Sequence, residues 1–207
     1  MLHNDLISQL CNIKMNEVEA VKTAEQRQQV EAHLLDYGQV YLDIWKLGIN
    51  SFLRISDVLS LTMADVRQIA LESDNPTLKL IEGKTSKTRT IALNKTAFGI
   101  MKRRLDDFPD DVWLFQSPSP RHRRDKPQPY SRKQIHLVFS KVGQTIRPKV
   151  VLGTHSMRKT RGYAMHADGR PIEEICRALN HSNPAVTMRY IGLTQEKVNQ
   201  GYFDYEL

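Results

Sequence analysis

Apolar positions recur along this chain at two different spacings, and the spacing separates helical stretches from extended ones. From residue 25 to 47, Val30, Leu34, Tyr37, Tyr41 and Ile44 fall three or four apart, the stripe of an amphipathic helix. After Gly48, "INSFLRISDVLSL" predicts a short apolar helix that carries Arg54 and Asp57, three apart and so on one helical face. An arginine in so apolar a segment needs a partner, and Asp57 is in reach. The pattern then changes. "VRQIAL", "TLKLIE" and "TRTIAL" are short runs rich in β-branched residues, separated by the turn-like "ESDNP" and "GKTSK". They predict a small three-stranded antiparallel sheet whose second hairpin has "EGKTSK" at its tip.

Helical spacing returns after Asn94, a capping residue, through "KTAFGIMKRRLDD". "WLF" at 113–115 predicts a brief buried extended segment, and a loop rich in Pro and Arg follows over 117–129. Ser131 caps "RKQIHLVFSKVGQTI", and the pattern stays helical in "HSMRKTRGYAMHAD", "PIEEICRAL" and "NPAVTMRYIG". The tail "LTQEKVNQGYFDYEL" is amphipathic, with Tyr202, Phe203 and Tyr205 late in it. The expected architecture is therefore mainly α with one small antiparallel sheet. Residues 1–22 form an N-terminal extension, 23–193 one domain and 194–207 a C-terminal tail. The aromatic residues of that tail suit either a neighbouring subunit or its own core.

Composition narrows the classes of function. At 207 residues with 40% hydrophobic content the chain can bury a core, and no run approaches the roughly 20 apolar residues of a membrane span. Asp5, Lys14 and Glu17 interrupt the apolar positions of the N-terminus, against a secretory signal. The two cysteines, Cys11 and Cys176, make neither a disulfide framework nor a metal-ligand spacing. These features predict a cytoplasmic protein. The formal charge of +7 is modest, but its distribution is not even. "RHRRDKPQPYSRK" gathers Arg121, Arg123, Arg124, Lys126, Arg132 and Lys133 around a single Asp, a solvated loop with the composition to hold a polyanion. Lys84 and Lys87 at the hairpin tip could touch a phosphate in the same way.

The chain lacks the G-x-x-x-x-G-K-[ST] loop of nucleotide binding, H-E-x-x-H, a C-x-x-C pair and an evident carboxylate cluster for two-metal catalysis. It does carry "HSMR" at the start of a helix, with His155 and Arg158 three apart, where helix N–H groups already favour an anion. H-x-x-R alone is weak and recurs by chance. Arginine, lysine, histidine and tyrosine together suffice for another kind of phosphoryl transfer, in which cations neutralise the phosphate oxygens and a tyrosine attacks.

The order Arg54 in "FLRISDVLSL", Lys84 in "EGKTSKTRTIAL", His155 and Arg158 in "HSMR", then His181 and Tyr190 in "LNHSNPAVTMRY" resembles the tyrosine recombinase, or phage integrase, family. The resemblance covers about residues 23–193, with 23 residues from Arg158 to His181 and nine more to Tyr190. It implies a site-specific DNA recombinase that needs no cofactor, neither metal nor ATP. In it Tyr190 attacks the scissile phosphate to leave a 3′-phosphotyrosyl link, and Arg54 and Arg158 hold the non-bridging oxygens. Lys84 protonates the 5′-oxygen, with Lys87 its rival for that role. His155 moves a proton near the nucleophile, His181 hydrogen-bonds the phosphate, and Asp57 orients these groups from behind. The implied partner is double-stranded DNA, bound by a homotetramer on paired sites, with the protein a monomer when free of DNA; the implied setting is bacterial or phage-encoded and nucleoid-associated.

Some features depart from that pattern. Only 22 residues precede the first catalytic-domain helix, too few for the family's separate N-terminal clamp domain. This is expected of compact members such as fimbrial inversion recombinases and short mobile-element integrases, or of a chain trimmed to its catalytic domain. Asn180 stands where glycine is usual before the motif histidine, and Lys159 where histidine is common. Two alternatives stay open: a non-catalytic DNA-binding regulator on the same fold, and a type IB topoisomerase that nicks and closes DNA.

Overall fold

A computed structural model describes residues 17–70, 75–83, 88–119, 126–193 and 203–204. The first helix among the described residues, α1 (Ala24–Tyr37), starts at a capping box in which Thr23 and Gln26 exchange hydrogen bonds, and it ends at Gly38. Gly38 has φ 128°, a backbone region that side chains rarely allow, so the stripe read over 25–47 is divided between α1 and α2 (Gln39–Ser51). Val30, Leu34 and Ile44 of that stripe are fully buried, whereas Tyr37 falls at the break and is exposed.

The segment after Gly48 is also divided. Phe52 takes a left-handed conformation (φ 56°) at the end of α2, and Arg54 is the extended N-cap of α3 (Ile55–Leu59). Arg54 therefore precedes the helix rather than sharing its face with Asp57.

The expected three-stranded sheet is corrected: among the described residues it has two strands. β1 (Thr77–Ile81) pairs antiparallel with β2 (Thr88–Ala92), Thr77 opposite Ala92 and Ile81 opposite Thr88. Most of "VRQIAL" instead belongs to a helix, α4 (Met63–Ala70). Met63, Val66 and Ile69 are buried at a spacing of three, and Thr62 and Asp65 cap one another across the first turn. The cap and the burial period together outweigh the β-branched composition.

Further along the described residues come α5 (Lys95–Asp107), capped by Asn94, and α6 (Arg132–Thr145), whose Ser131 and Gln134 form a second capping box. Then come α7 (Ser156–Ala167), α8 (Ile172–Leu179) and α9 (Pro184–Tyr190), the last with Asn183 as N-cap and proline at its first position. Trp113 bridges to Thr62, and Leu114 and Phe115 are fully buried, close to the extended segment expected there. Residues 17–21 lie along the start of α7: Glu19 pairs with Val151, Val21 donates to Thr160 Oγ1 at 2.9 Å, and Glu17 meets Lys159 at 2.8 Å.

Two apolar clusters result. The main core is built from α1 to α6, the hairpin and Met157 at the start of α7, around Trp45, Phe115, Phe139, Leu34 and Met101. A smaller one gathers Phe52, Ile175, Leu179 and Ile191, with Met165, Ile172 and Tyr190 against it. Gly162 lets α7 approach this second cluster, for a Cβ there would stand 2.7 Å from Ile191 Cγ2. Among the described residues, no helix is long and apolar enough to cross a membrane.

Candidate active site

Five of the residues singled out by the sequence converge where α3, α7 and the α8–α9 turn meet. His155 is the N-cap of α7 and Arg158 lies in its first turn, so the helix start presents both side chains toward Tyr190 at the end of α9. The Tyr190 hydroxyl lies 3.4 Å from His155 Nδ1, and Arg158 is near enough to act on its ionisation. The His181 ring stands edge-on to the Tyr190 ring, centroids 4.9 Å apart. Tyr190 thus reaches the arginine and histidines of its own chain.

Arg158 is buried, and it is held by the backbone. Nη1 donates to the carbonyl of Phe52 and Nη2 to that of Leu179, the latter at 2.6 Å. The left-handed turn at Phe52 and the C-terminus of α8 supply these acceptors, so one planar fork fixes the ends of two helices.

Arg54 is anchored differently. Its Nη1 lies 2.9 Å from Glu82 Oε2 and 3.9 Å from Asp57 Oδ2, as ion pairs without hydrogen-bond angles. Asp57 is buried, and its Oδ1 accepts the Gly83 N–H at 3.1 Å, which joins α3 to the base of the hairpin.

The ionisation of the site follows from its burial and its cations. Burial is the largest effect on Tyr190 and raises its pKa; Arg158, by charge and hydrogen bond, and Arg54 oppose it. Burial likewise lowers the Arg158 pKa, countered by Tyr190, and leaves it a cation at neutral pH. His181 is pulled down to about 4 by desolvation, then by Arg158 and Arg54. His155 is lowered too: although its ring meets solvent, desolvation is the leading cause, followed by Arg132, Arg158, Lys159 and Arg54. Both imidazoles are therefore neutral near pH 7, acceptors or single donors rather than cations.

The other expected positions divide between described and undescribed residues. Lys84 and Lys87, and Arg121, Arg123 and Arg124, lie outside the described residues. Lys126, Arg132 and Lys133 are exposed, and Arg132 is near enough to depress the His155 pKa. Among the described residues no group of His, Cys, Asp and Glu could hold a metal ion.

Sequence reasoning missed several residues that contact these groups. Glu82, fully buried just after β1, pairs with both Arg54 and Arg89 and accepts from Asn180 Nδ2 at 2.8 Å. Asn180 is left-handed (φ 54°) at the end of α8, which explains an asparagine where glycine is usual: both residues tolerate that backbone. Lys159 Nζ lies 5.4 Å from the Tyr190 ring centroid. Thr187, buried in α9, lies 3.0 Å from His181 Nδ1. Asn180 and Lys159 carried a local signal, their places beside the motif histidine and arginine; Glu82 and Thr187 needed tertiary contacts to be found.

Comparison with known proteins identifies the family and the fold. The sequence model of the phage integrase family matches residues 12–197. A probable integrase/recombinase, YoeC, of Bacillus subtilis (strain 168) is 31% identical over 188 residues, covering 91% of this chain and 97% of that protein. A probable integrase/recombinase of Acholeplasma phage L2 is 21% identical, over 80% of this chain and 53% of its own length. The fold is similar to the XerA recombinase, with TM-score 0.62 and 15% identity over 92% of this chain; the chain spans 65% of that structure. It is also similar to the Tn1549 transposon integrase in complex with a circular intermediate DNA, with TM-score 0.64 and 16% identity over 91% of this chain and 67% of that one.

Proposed function

The chain belongs to the phage integrase family, and from that membership we propose that it is a site-specific DNA recombinase using Tyr190 as nucleophile. The observation that carries the proposal is the meeting of the Tyr190 hydroxyl with His155 Nδ1 and with Arg158, beside His181, within one chain.

The chemistry follows from these positions. The Tyr190 oxygen attacks the scissile phosphorus as its proton passes to neutral His155. The bond from phosphorus to the 5′-oxygen breaks, leaving a 3′-phosphotyrosyl link and a 5′-hydroxyl. Burial raises the tyrosine pKa, so reaction depends on an acceptor in line with the hydroxyl and on Arg158 to stabilise the phenolate. Arg54 and Arg158 donate to the non-bridging oxygens, where charge builds in the transition state. A Thr187 hydroxyl donating to His181 Nδ1 leaves the proton on Nε2, directed at the phosphate. Lys84, or Lys87, is the proposed acid for the leaving 5′-oxygen. Attack of a 5′-hydroxyl on the phosphotyrosine restores the diester, so the bond energy is conserved and no ATP is consumed.

The proposed substrate is double-stranded DNA, met on the side bearing the exposed Arg132, Lys133 and Lys126, with a homotetramer on paired sites as the recombining unit. The test uses nicked duplexes tiled over the DNA flanking the gene, from which the short fragment bearing the new 5′-hydroxyl diffuses away and so traps the adduct. Wild type is expected to form a covalent protein–DNA species that survives denaturation, and Tyr190→Phe none. An adduct with the Phe variant refutes the nucleophile assignment. No adduct from wild type on any duplex it binds favours a non-catalytic regulator instead.

A further inference from the structure

We propose that Glu82 is a positioning residue of the site: one buried carboxylate that orients Arg54 and ties the hairpin and the His181 turn to it. Three separate segments end on this side chain. Arg54 at the start of α3 lies 2.9 Å from Oε2, Arg89 on β2 donates to Oε1 at 3.1 Å, and Asn180 at the end of α8 donates to Oε2 at 2.8 Å. Glu82 itself has no exposed surface, and it immediately precedes Gly83, whose N–H is held by Asp57.

The two strands of the hairpin are both included. Glu82 follows the last residue of β1, and Arg89 of β2 also donates through Nη2 to the carbonyl of Ala178 in α8. The stem leading to Lys84 is thus fastened to α3 through Asp57 and to α8 through Arg89. The same carboxylate holds the left-handed Asn180, next to His181. Moving it displaces parts of the site that are remote in sequence.

The negative charge is needed, not only the shape. Two guanidinium groups face the two carboxylate oxygens, and Asn180 adds a third donor. Glutamine offers one acceptor and one donor, so an N–H would have to face one of these donors. Burying two arginines beside a neutral side chain leaves charge uncompensated, and Arg54 has the more exposed alternative of turning toward solvent. Aspartate keeps the charge on a side chain one methylene shorter.

This inference rests on the recombinase reading, so its test has one arm that does not need DNA. In the free protein, amide hydrogen exchange is compared in wild type, Glu82→Gln and Glu82→Asp. Exchange at Gly83 and at His181, whose N–H groups bond Asp57 and Cys176, is expected to speed up together by about tenfold or more in Glu82→Gln, with the helices of the main core unchanged. Protection retained at either amide overturns the tie between the segments, whether or not any DNA is cleaved.

The second arm measures single-turnover adduct formation on the duplex that wild type cleaves, with folded variant at saturating DNA. Glu82→Gln is expected to lower the rate by about 10²-fold, as for a lost transition-state donor, with DNA affinity changed less than about threefold. Glu82→Asp is expected to restore a large part of that rate. A Glu82→Gln rate within about threefold of wild type, or a loss matched by weaker DNA binding, overturns the positioning role. Absence of wild-type adduct counts against the recombinase reading alone, and amide exchange then decides for Glu82.

Discussion

Replacing Arg158 by lysine keeps the charge and removes the fork, which makes it the sharpest perturbation of this site. The guanidinium spends Nη1 on the Phe52 carbonyl and Nη2 on the Leu179 carbonyl, from a side chain that is only 2% exposed. An ammonium is a point donor and reaches one of these acceptors at most. Losing one charge-assisted bond and leaving a buried carbonyl unpaired sums to about 2.5–6 kcal/mol. For a chain of this length that lowers the melting midpoint by roughly 5–24 °C. Catalysis should suffer more, because the lysine that replaces the carbonyl bond also fails to present two donors to one phosphate; about 10²–10³-fold is expected. Far-ultraviolet circular dichroism gives the midpoint. Adduct formation is then timed at a temperature where the variant is fully folded, so that the two losses are read separately. A midpoint within about 1 °C of wild type would mean that the carbonyl bonds contribute nothing net to stability. A rate within about tenfold would show that a single cation suffices at this position.

Two further outcomes are expected. His181 is held at about 4 when folded and titrates near 6.5 when unfolded. Between those values the unfolded chain binds a proton the folded one lacks, so stability should fall as pH drops through that window and level off below it. His155, lowered in the same direction, adds to the slope. Urea midpoints followed from about pH 7 to about pH 4 should show a shallower slope in His181→Asn, and an identical slope would remove His181 from the account. Gly162→Ala tests the close approach to the tyrosine helix. Helix propensity alone predicts a gain of up to about 1 kcal/mol, whereas a Cβ 2.7 Å from Ile191 Cγ2 predicts a loss of about 1–3 kcal/mol. The sign of the change in denaturant midpoint decides between them, and slower adduct formation should accompany the loss, since Ile191 adjoins Tyr190.

Much of the helical layout could be read in advance because its signals are local. Asn94, Ser131 and Asn183 each cap a helix by a side-chain bond three residues long. Where local signals conflicted, the reading failed. "VRQIAL" has the composition of a strand, but Thr62 and Asp65 just before it form a helix cap and Met63, Val66 and Ile69 carry the helical period. Gly38 broke a stripe that looked continuous, because the apolar spacing is nearly preserved across it. Within the site, Arg54, His155, Arg158, His181 and Tyr190 were legible from residue type and order. Glu82 was not, for beyond Arg89, seven residues on in the same hairpin, its partners lie 28 residues before it and 98 after it.

The second apolar cluster has a consequence for how the molecule can move. Tyr190 and the seven-residue α9 rest on Phe52, Ile175, Leu179 and Ile191 rather than on the main core around Trp45 and Phe139. A helix this short, with its own cap and proline start, can lift from its few apolar neighbours while the larger core remains intact. Tyr190, the proposed nucleophile, is therefore mounted on the smaller of the two apolar clusters, and its position can change while the larger core around Trp45 stays packed.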